Sequence, residues 1–191
     1  MKYVLASNNL NKMKEMKEIL GDKATVYTPK DLGISIDVEE TGTTFKENSL
    51  LKARAFCLAS GIAAIADDSG LEVDYLNGAP GVYSARFAGD EHNDEANRQK
   101  LLAVLKNVPD DKRTAHFTTV ISVVYPDGKE ISVEGKAYGK ITHEYIGNGG
   151  FGYDCLFMSD DLGITFAEAS PEQKNSVSHR GRALRELSKL L

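Results

Sequence analysis

Two adjacent carboxylates, Asp67 and Asp68, are the strongest candidates for chemistry in the sequence. They directly follow residues 62–66, a run of small apolar residues that is typical of a strand covered on both faces. α/β proteins place ligands beyond the carboxyl ends of such strands, and adjacent carboxylates there need protons, bases or a metal ion to neutralise them. We therefore expect a site at the end of this strand. The alternative is an Asp-Ser-Gly turn with Asp67 exposed.

Glu39 and Glu40 form a second acidic pair that could contribute to the same site. Ligand sets made only of oxygen atoms favour Mg²⁺ or Ca²⁺, and Mg²⁺ commonly combines one or two carboxylates with the phosphate groups of a substrate. A carboxylate beside such a site can also accept a proton from an attacking water molecule. The acids at these two places therefore indicate a divalent-cation site.

Residues 7–12 have the side-chain types of an anion site. They lie between a predicted strand and a predicted helix, where backbone N–H groups and the positive end of the helix dipole can face a ligand. Hydroxyl and amide groups add donors, and Lys12 adds a positive charge. The segment is neither a Walker loop nor a dinucleotide-binding fingerprint. The alternative, equally open, is capping of the helix by Asn9 or Asn11.

Two further segments carry residues suited to a planar base. The glycines in residues 149–154 let the backbone pass close to a ligand, while Phe151 could stack on a base and Asp154 could accept hydrogen bonds from its edge. Residues 178–180, together with Lys174, supply donors that suit a carbonyl oxygen or a phosphate. The alternatives are a flexible loop with one buried aromatic residue and, for the histidine of the second segment, a surface position at a helix N-terminus.

The order of predicted elements indicates an α/β fold with a mixed sheet, because strands linked by helices coexist with a hairpin. A Pro-Asp-Gly turn at residues 126–128 marks the hairpin. Capping boxes open two helices, at Thr44 and at Ser170. Predicted strands cover residues 3–6, 24–28, 62–66, 117–125 and 130–134, with 141–145 as a continuation, and the other predicted helices cover residues 11–20, 94–106 and 178–191.

Composition and charge set the class of protein. The chain has 191 residues, of which 41% are hydrophobic and 27% charged, as in a globular protein of one domain. Its net charge of −5 argues against general binding of nucleic acid, which usually requires a basic excess. No apolar run approaches the roughly 20 residues that span a bilayer, and two cysteines are too few for a disulfide framework. We expect a cytoplasmic protein with no nucleic-acid or membrane partner.

Taken together, these motifs resemble those of the inosine triphosphate pyrophosphatase family of house-cleaning nucleotide hydrolases. Each block is loose alone, but the ordered set, which spans residues 5–185, is specific. The matching blocks are Ser7-x-Asn9-x-x-Lys12, Glu39-Glu40-Thr41-Gly42 with Glu47-Asn48, Ala66-Asp67-Asp68-Ser69-Gly70-Leu71, residues 78–86, Gly149-Gly150-Phe151-Gly152-Tyr153-Asp154, and Lys174 with Ser178-His179-Arg180.

The resemblance implies a single domain over residues 1–191, with a long mixed central sheet, flanking helices and two lobes around a cleft, and it implies a homodimer. The implied reaction is Mg²⁺-dependent hydrolysis of ITP, dITP and XTP to the monophosphate and pyrophosphate. Asp68 would be the proton acceptor and a metal ligand, with Asp67 and either Glu39 or Glu40 as further ligands. The implied substrate-binding residues are Ser7, Asn8, Asn9, Leu10, Asn11 and Lys12 at the triphosphate, Ser69, and Phe151, Gly152, Tyr153, Asp154, Lys174, His179 and Arg180 around the base.

Selectivity is expected at position 6 of the purine. Inosine and xanthine carry a keto oxygen there, which donors from Lys174, His179 or Arg180 can satisfy, whereas the amino group of adenine would leave those donors unpaired. One departure from the family is Cys155, which stands where we expect proline. Two alternative functions are a nucleotide-binding sensor, which would not need Asp68, and a Mg²⁺-dependent phosphohydrolase that releases orthophosphate.

Overall fold

One six-stranded sheet carries the fold in the computed structural model, which describes residues 1–7, 9–21, 24–89 and 93–191. The strands are β1 (Lys2–Leu5), β2 (Thr25–Tyr27), β3 (Ala63–Val73), β4 (Thr114–Val124), β5 (Glu130–Ile141) and β6 (Phe157–Ser159). The helices are α1 (Leu10–Leu20), α2 (Phe45–Ser60), α3 (Asp94–Val104), α4 (Pro171–Val177) and α5 (His179–Leu187). No helix among these residues is long and apolar enough to cross a bilayer.

The sheet is mixed, with the strand order β2-β1-β3-β4-β5-β6. β1 is parallel to both of its neighbours, with Tyr3 opposite Val26 in β2 and opposite Ala63 in β3. β5 and β6 are antiparallel, with Lys140 opposite Met158. The predicted turn between β4 and β5 is present and is closed by backbone hydrogen bonds. The prediction of an α/β fold with a mixed sheet and flanking helices is therefore confirmed.

Two of the helices, α2 and α4, begin at capping signals that are visible in the sequence. At α2, the Thr44 hydroxyl accepts from the N–H of Glu47, and the Glu47 carboxylate accepts from the N–H of Thr44, both at 3.1 Å. Ser170 and Gln173 form the same reciprocal pair at α4. Gly61 follows α2 in a left-handed conformation (φ 70°), which favours glycine. Both predicted capping boxes are confirmed.

The strands differ most from the prediction. β3 does not end at residue 66 but continues to Val73, so Asp67 and Asp68 lie within the strand rather than beyond it. β5 continues past residue 134 to Ile141, and the sequence pattern does not predict β6 at all. Polar and glycine-rich segments resemble turns in a sequence, but neighbouring strands and buried partner side chains stabilise them in extended form.

The chain divides into two compact units. The first unit comprises residues 1–68, 119–135 and 180–191, and the second comprises residues 69–118 and 136–179. β3, β4 and β5 contribute residues to both units. A single domain over residues 1–191 stays a prediction.

In the first unit, successive residues of β1 and β3 pack on opposite faces of the sheet. Leu5 and Ile65 belong to a core cluster with α1 and α5, whereas Val4 and Ala64 belong to a separate cluster with α2. This alternation follows from the two-residue period of an extended strand. Continued along β3, it sends the two carboxylates that follow residue 66 to different helices.

In the second unit, the core is built around aromatic rings. Phe117, Phe157 and Phe166 are buried, with ring centroids between 4.7 and 6.0 Å apart. Leu101 in α3 and Leu105 at its C-terminal end join the same cluster. This packing fixes α3 in the unit that also contains residues 149–154.

Candidate functional site

Asp67 and Asp68 are buried on opposite faces of β3, with exposed fractions of only 1% and 5%. The Asp67 side chain contacts basic residues of α1 and α5, whereas the Asp68 side chain contacts polar residues of α2. An exposed turn at this position is therefore excluded. Each carboxylate forms its direct contacts with residues of different helices, although the two are adjacent in sequence.

The Asp67 carboxylate belongs to a buried ion-pair network. Its Oδ2 atom lies 3.2 Å from Lys12 Nζ and accepts hydrogen bonds from Arg180 Nε (3.3 Å) and Nη2 (3.2 Å). The Nη1 atom of Arg180 donates to the carboxylate of Glu15 on α1. Burial alone would lower the pKa of Arg180, but Asp67 and Glu15 outweigh it and raise the pKa. The contact predicted between Arg180 and a base stays a prediction.

The Asp68 carboxylate lies beside an amide and an ammonium group from α2. Asn48 Nδ2 donates to Asp68 Oδ2 at 3.1 Å, and Lys52 Nζ lies 3.8 Å from Asp68 Oδ1. The same Nζ atom lies 2.5 Å from Glu40 Oε1. Lys52 therefore bridges two carboxylates, those of Asp68 and Glu40.

Burial and charge shift the pKa values of this cluster in opposite directions. Burial raises the pKa of Asp68, and the nearby Lys52 and Lys12 offset this only in part. Burial alone would lower the pKa of Lys52, but Asp68, Asp67 and Glu40 together raise it. For Lys12, burial prevails and the pKa is lowered. Asp68 is thus a better proton acceptor when ionised than an exposed aspartate, and Lys52 stays protonated beside it.

The loop before α2 is fastened to Asp68 through the buried side chain of Asn48. Asn48 Oδ1 accepts from the N–H of Gly42 at 2.8 Å while its Nδ2 donates to Asp68. A Cβ atom on Gly42 would lie 2.6 Å from Asn48 Oδ1, so this close approach requires glycine. The loop carries Glu40 into the cluster, whereas Glu39 is exposed. Of the two predicted glutamate ligands, the structure brings Glu40 to the surroundings of Asp68.

The Asp68 cluster has the ligand chemistry of a hard cation without a complete cage. Within the described ranges, no three His, Cys, Asp or Glu side chains are grouped so that they could hold a metal ion. Asp68 and Glu40 do supply carboxylate oxygens, and both carboxylates contact the ammonium group of Lys52. Mg²⁺ binds one or two carboxylates and takes its other oxygens from phosphates and water. These residues therefore fit Mg²⁺ that is held jointly with a phosphorylated ligand.

Asn9 caps α1, and Leu10, Asn11 and Lys12 form its first turn. Asn9 Oδ1 accepts from the backbone N–H groups of Asn11 (3.0 Å) and Lys12 (3.2 Å), and Ser7 Oγ accepts from the N–H of Asn9 (3.1 Å). Capping of this helix by Asn9 is thus confirmed. Lys12, in the first turn of the helix, is the residue that reaches Asp67.

The other predicted residues of this segment have fewer contacts. Leu10 is 77% exposed and Asn11 is also exposed, while Asn8 lies outside the residues that the structure describes. Ser7 and Leu10 border a cavity of about 680 Å³ within the first unit, together with residues between 28 and 35. The N-terminus of α1 therefore faces open space.

Lys174 and Asp154 form a buried ion pair in the second unit. Lys174 Nζ lies 2.7 Å from Asp154 Oδ2, and the two residues are 6% and 4% exposed. The same ammonium group lies 4.6 Å from the centroid of the Phe151 ring, a cation–π contact. Asp154 Oδ2 also accepts from the N–H of Phe151 at 2.9 Å. The structure thus brings these three predicted base-binding residues together.

Two glycines of this segment have different requirements. Gly150 has φ 69°, and a Cβ atom there would lie 2.1 Å from Asp154 Oδ2. Gly152 has φ 58°, but a Cβ atom would meet nothing within 4 Å. Gly150 is therefore required both by its backbone conformation and by the ion pair that closes over it.

The remaining predicted residues lie in varied surroundings. Tyr153 is buried, and its Oη donates to the carbonyl of Ser84 at 2.7 Å. His179 is buried and stacks on Phe117, with 4.8 Å between ring centroids and 14° between planes. A surface position for His179 is therefore excluded. Ser69 is half-buried within β3.

Lys52, Asn48 and Glu15 complete these clusters, although the sequence motifs assign no role to them. Asn48 and Lys52 are four residues apart on α2, and Lys12 and Glu15 are three apart on α1, so each pair lies on one helix face. A pair of polar residues three or four positions apart, in a helix that begins next to a candidate motif, is a signal in the sequence. It could have identified these three residues.

Comparison with known proteins assigns the family. The sequence matches the Ham1 family over residues 3–190. It is 53% identical to a dITP/XTP pyrophosphatase of Clostridium perfringens, over 97% of this chain and 95% of the relative. It is 50% identical to one of Desulforamulus reducens, over 100% and 96%. The solved structure of the Staphylococcus aureus Ham1 protein is similar with a TM-score of 0.89 and 44% identity, over 100% of this chain and 97% of that chain.

A second solved structure agrees with this result. The HAM1 protein of Coxiella burnetii gives a TM-score of 0.90 at 40% identity, over 100% of this chain and 98% of that chain. The resemblance expected from the ordered motifs is therefore confirmed. Because these matches cover nearly the whole length of this chain and of each relative, this protein belongs to the Ham1 family.

Proposed function

We propose that the protein is a Mg²⁺-dependent nucleoside triphosphate pyrophosphatase that hydrolyses ITP, dITP and XTP to the monophosphate and pyrophosphate. The observation that carries the proposal is the environment of Asp68, a buried carboxylate with a raised pKa beside Lys52 and Glu40. The relatives named dITP/XTP pyrophosphatase support two of these substrates, dITP and XTP. The reaction removes deaminated purine nucleotides from the nucleotide pool.

In the proposed reaction, the oxygen of a water molecule bonds to the α-phosphorus. The bond between that phosphorus and the oxygen shared with the β-phosphate breaks, and pyrophosphate leaves with the electron pair. Asp68 accepts the proton of the attacking water and so acts as the general base. Lys52, held protonated by its carboxylate neighbours, offsets the negative charge of the phosphate oxygens.

Asp68 and Glu40 are the proposed ligands for Mg²⁺, because both carboxylates contact the ammonium group of Lys52 and therefore lie near each other in the first unit. When bound, the ion would supply charge neutralisation at the phosphate oxygens and orientation of the attacking water. The structure does not bring the other two predicted ligands to this place. Asp67 lies on the opposite face of β3 and Glu39 is exposed, so their role as ligands stays a prediction.

The N-terminal turn of α1 is the proposed anchor for the triphosphate. The positive end of the helix dipole and the ammonium group of Lys12 both favour an anion there. Ser7 adds a hydroxyl group beside the helix cap. Asp67 holds Lys12 in the first unit and thereby sets the position of its charge.

Lys174 is the proposed donor to the keto oxygen at position 6 of the base. Its ammonium group is a donor of up to three hydrogen bonds and lies between Asp154 and the face of the Phe151 ring. The Phe151 ring supplies a face on which a base can stack. Adenine carries an amino group at position 6, which is itself a donor and cannot accept a hydrogen bond from the Lys174 ammonium group. Binding of adenine is therefore disfavoured.

We also propose that the protein acts in the cytoplasm as a homodimer. Both statements rest on the family to which the chain belongs. Size-exclusion chromatography with light scattering measures the oligomeric state directly, and a monomer at micromolar concentration would contradict the second statement.

One assay tests the proposed reaction. The protein is incubated with ITP, XTP, ATP or GTP, with Mg²⁺ or with a chelator, and the released phosphate species are identified. We expect pyrophosphate from ITP and XTP, Mg²⁺ dependence, and little turnover of ATP. Orthophosphate as the primary product would indicate the alternative phosphohydrolase, binding without turnover would indicate a sensor, and equal turnover of ATP and ITP would contradict the assigned selectivity.

A further inference from the structure

Helix α3 holds both polar backbone atoms of Gly152. The N–H of Gly152 donates to Asp94 Oδ2 at 3.1 Å, and the carbonyl of Gly152 accepts from Arg98 Nη1 at 2.8 Å. Asp94 and Arg98 are four residues apart and therefore lie on one face of α3. Asp94, Arg98 and Gly152 thus form a two-point attachment, the Gly152 clamp, within the second unit.

The guanidinium group of Arg98 is itself held in place. Its Nη2 atom donates to Glu95 Oε2 at 2.9 Å, and its Cζ atom lies 5.6 Å from the centroid of the Tyr145 ring. Tyr145 Oη donates to the other carboxylate oxygen of Glu95 at 3.0 Å. Hydrogen bonds from Arg98, Gln99 and Tyr145 lower the pKa of Glu95, which keeps this carboxylate ionised. Arg98 therefore reaches Gly152 with little freedom to move.

The clamp lies directly beside the proposed base-binding residues. Gly152 follows Phe151 in the chain. The N–H of Phe151 and the ammonium group of Lys174 both donate to Asp154 Oδ2. A displacement of the Gly152 peptide would therefore move the Phe151 ring away from the Lys174 ammonium group. The contacts of Arg98 given above are with Glu95, Gly152 and Tyr145, none of which is a proposed catalytic residue. We therefore expect loss of Arg98 to disturb the base site.

We propose that Arg98 is a positioning residue for the nucleotide base: it acts through Gly152 to hold Phe151 and Asp154 against Lys174. The identity of the ligand as a base rests on the proposed function, whereas the positioning of Phe151 does not. Loss of Arg98 weakens substrate binding more than it slows the chemical step, because the clamp touches the loop and not the Asp68 cluster.

The first test needs no substrate. The chain contains no tryptophan, so a Phe151→Trp variant carries a single indole that reports on this loop alone. Adding Arg98→Ala is expected to increase acrylamide quenching of that indole about twofold, because the loop opens locally. The matched control is Arg54→Ala, which removes a two-armed pair with Glu130 in the first unit. Equal quenching with and without Arg98 overturns the clamp.

The second test is kinetic. In the otherwise unaltered chain, Arg98→Ala is expected to raise KM for ITP about tenfold with kcat within about twofold, and Arg98→Lys to recover part of the loss. Arg54→Ala is expected to change neither constant. A fall in kcat with KM unchanged overturns the positioning role. If the unaltered enzyme hydrolyses no nucleotide, the proposed function fails, and the quenching comparison still decides whether Arg98 positions Phe151.

Discussion

The two units hold their buried charges in contrasting ways. In the first unit, Asp67 and Asp68 belong to a network in which several carboxylates and cations lie within reach of one another. In the second unit, Lys174 and Asp154 form one pair that is enclosed by a tight turn and aromatic rings. The first arrangement can redistribute charge when an ion or a phosphate arrives, whereas the second depends on geometry. We therefore expect substitutions in the first unit to act through charge and those in the second to act through position.

The largest expected effect comes from Asp68→Asn, which keeps the shape of the side chain but removes the proton acceptor. We expect kcat/KM for ITP to fall about 10³-fold, within the usual range for loss of general base catalysis. Steady-state kinetics measures the loss, and circular dichroism checks that the protein stays folded. Asp127→Asn, in an exposed turn of the same unit, is the control. Activity near that of the unaltered enzyme would refute the role of Asp68.

The next effect separates the two faces of β3. Asp67→Ala removes a carboxylate that Lys12 and Arg180 share, so the buried Arg180 and the half-buried Lys12 both lose a partner. We expect the free energy of unfolding to fall by about 3 kcal/mol, as is usual when one member of a buried ion pair is deleted. Urea denaturation measures it. Glu130→Ala, which removes an exposed partner of Arg54, should cost less than about 1 kcal/mol. Equal losses for the two variants would contradict the buried network.

A smaller effect is expected for the pair in the second unit. Lys174→Met retains much of the side-chain volume but removes the donor proposed to recognise the keto oxygen. We expect the ratio of kcat/KM for ITP to that for ATP to fall roughly 10- to 100-fold, because a pocket loses discrimination when a hydrogen bond is removed. Lys100→Met is the control, since Lys100 also lies over an aromatic ring but is exposed. An unchanged ratio would assign base recognition to another residue.

The smallest effect compares two glycines of one loop. Gly152→Ala places a side chain in a left-handed conformation with free space around it, and should cost about 1 kcal/mol of stability. Gly150→Ala has the same backbone penalty and also collides with Asp154, so it should cost about 2 kcal/mol or more. Thermal denaturation of the two variants measures the difference. Equal melting temperatures would mean that the Asp154 carboxylate does not close over Gly150.

Local signals made much of the fold predictable. Thr44 and Ser170 mark helix starts by their own hydrogen bonds, and these depend on residues only three positions away. The extension of β3 through Asp67 was not predictable in this way, because what stabilises it lies far along the chain. Arg180 pairs with Asp67 across 113 positions, and no local pattern of the sequence contains that contact.

The same reasoning applies to the candidate site. The ordered motifs include Asp68, Lys174 and Asp154, and the structure gives all three buried polar contacts, while their assigned roles stay predictions. The proposed preference for Glu40 over Glu39 rests on Lys52 of α2, whose ammonium group contacts Glu40 in the preceding loop. The spacing of residues in the sequence predicts which of them share a helix face. It does not predict which residue of a neighbouring loop contacts that face.

The alternation of β3 also bears on how relatives of this protein can diverge. Inserting or deleting one residue before Asp67 would turn every later side chain of the strand to the other face, so each carboxylate would meet the helix meant for its neighbour. Substitutions on one face, by contrast, leave the other face intact. An alignment of relatives should therefore hold no gap within β3, while residues around Asp67 and around Asp68 vary in two separate groups.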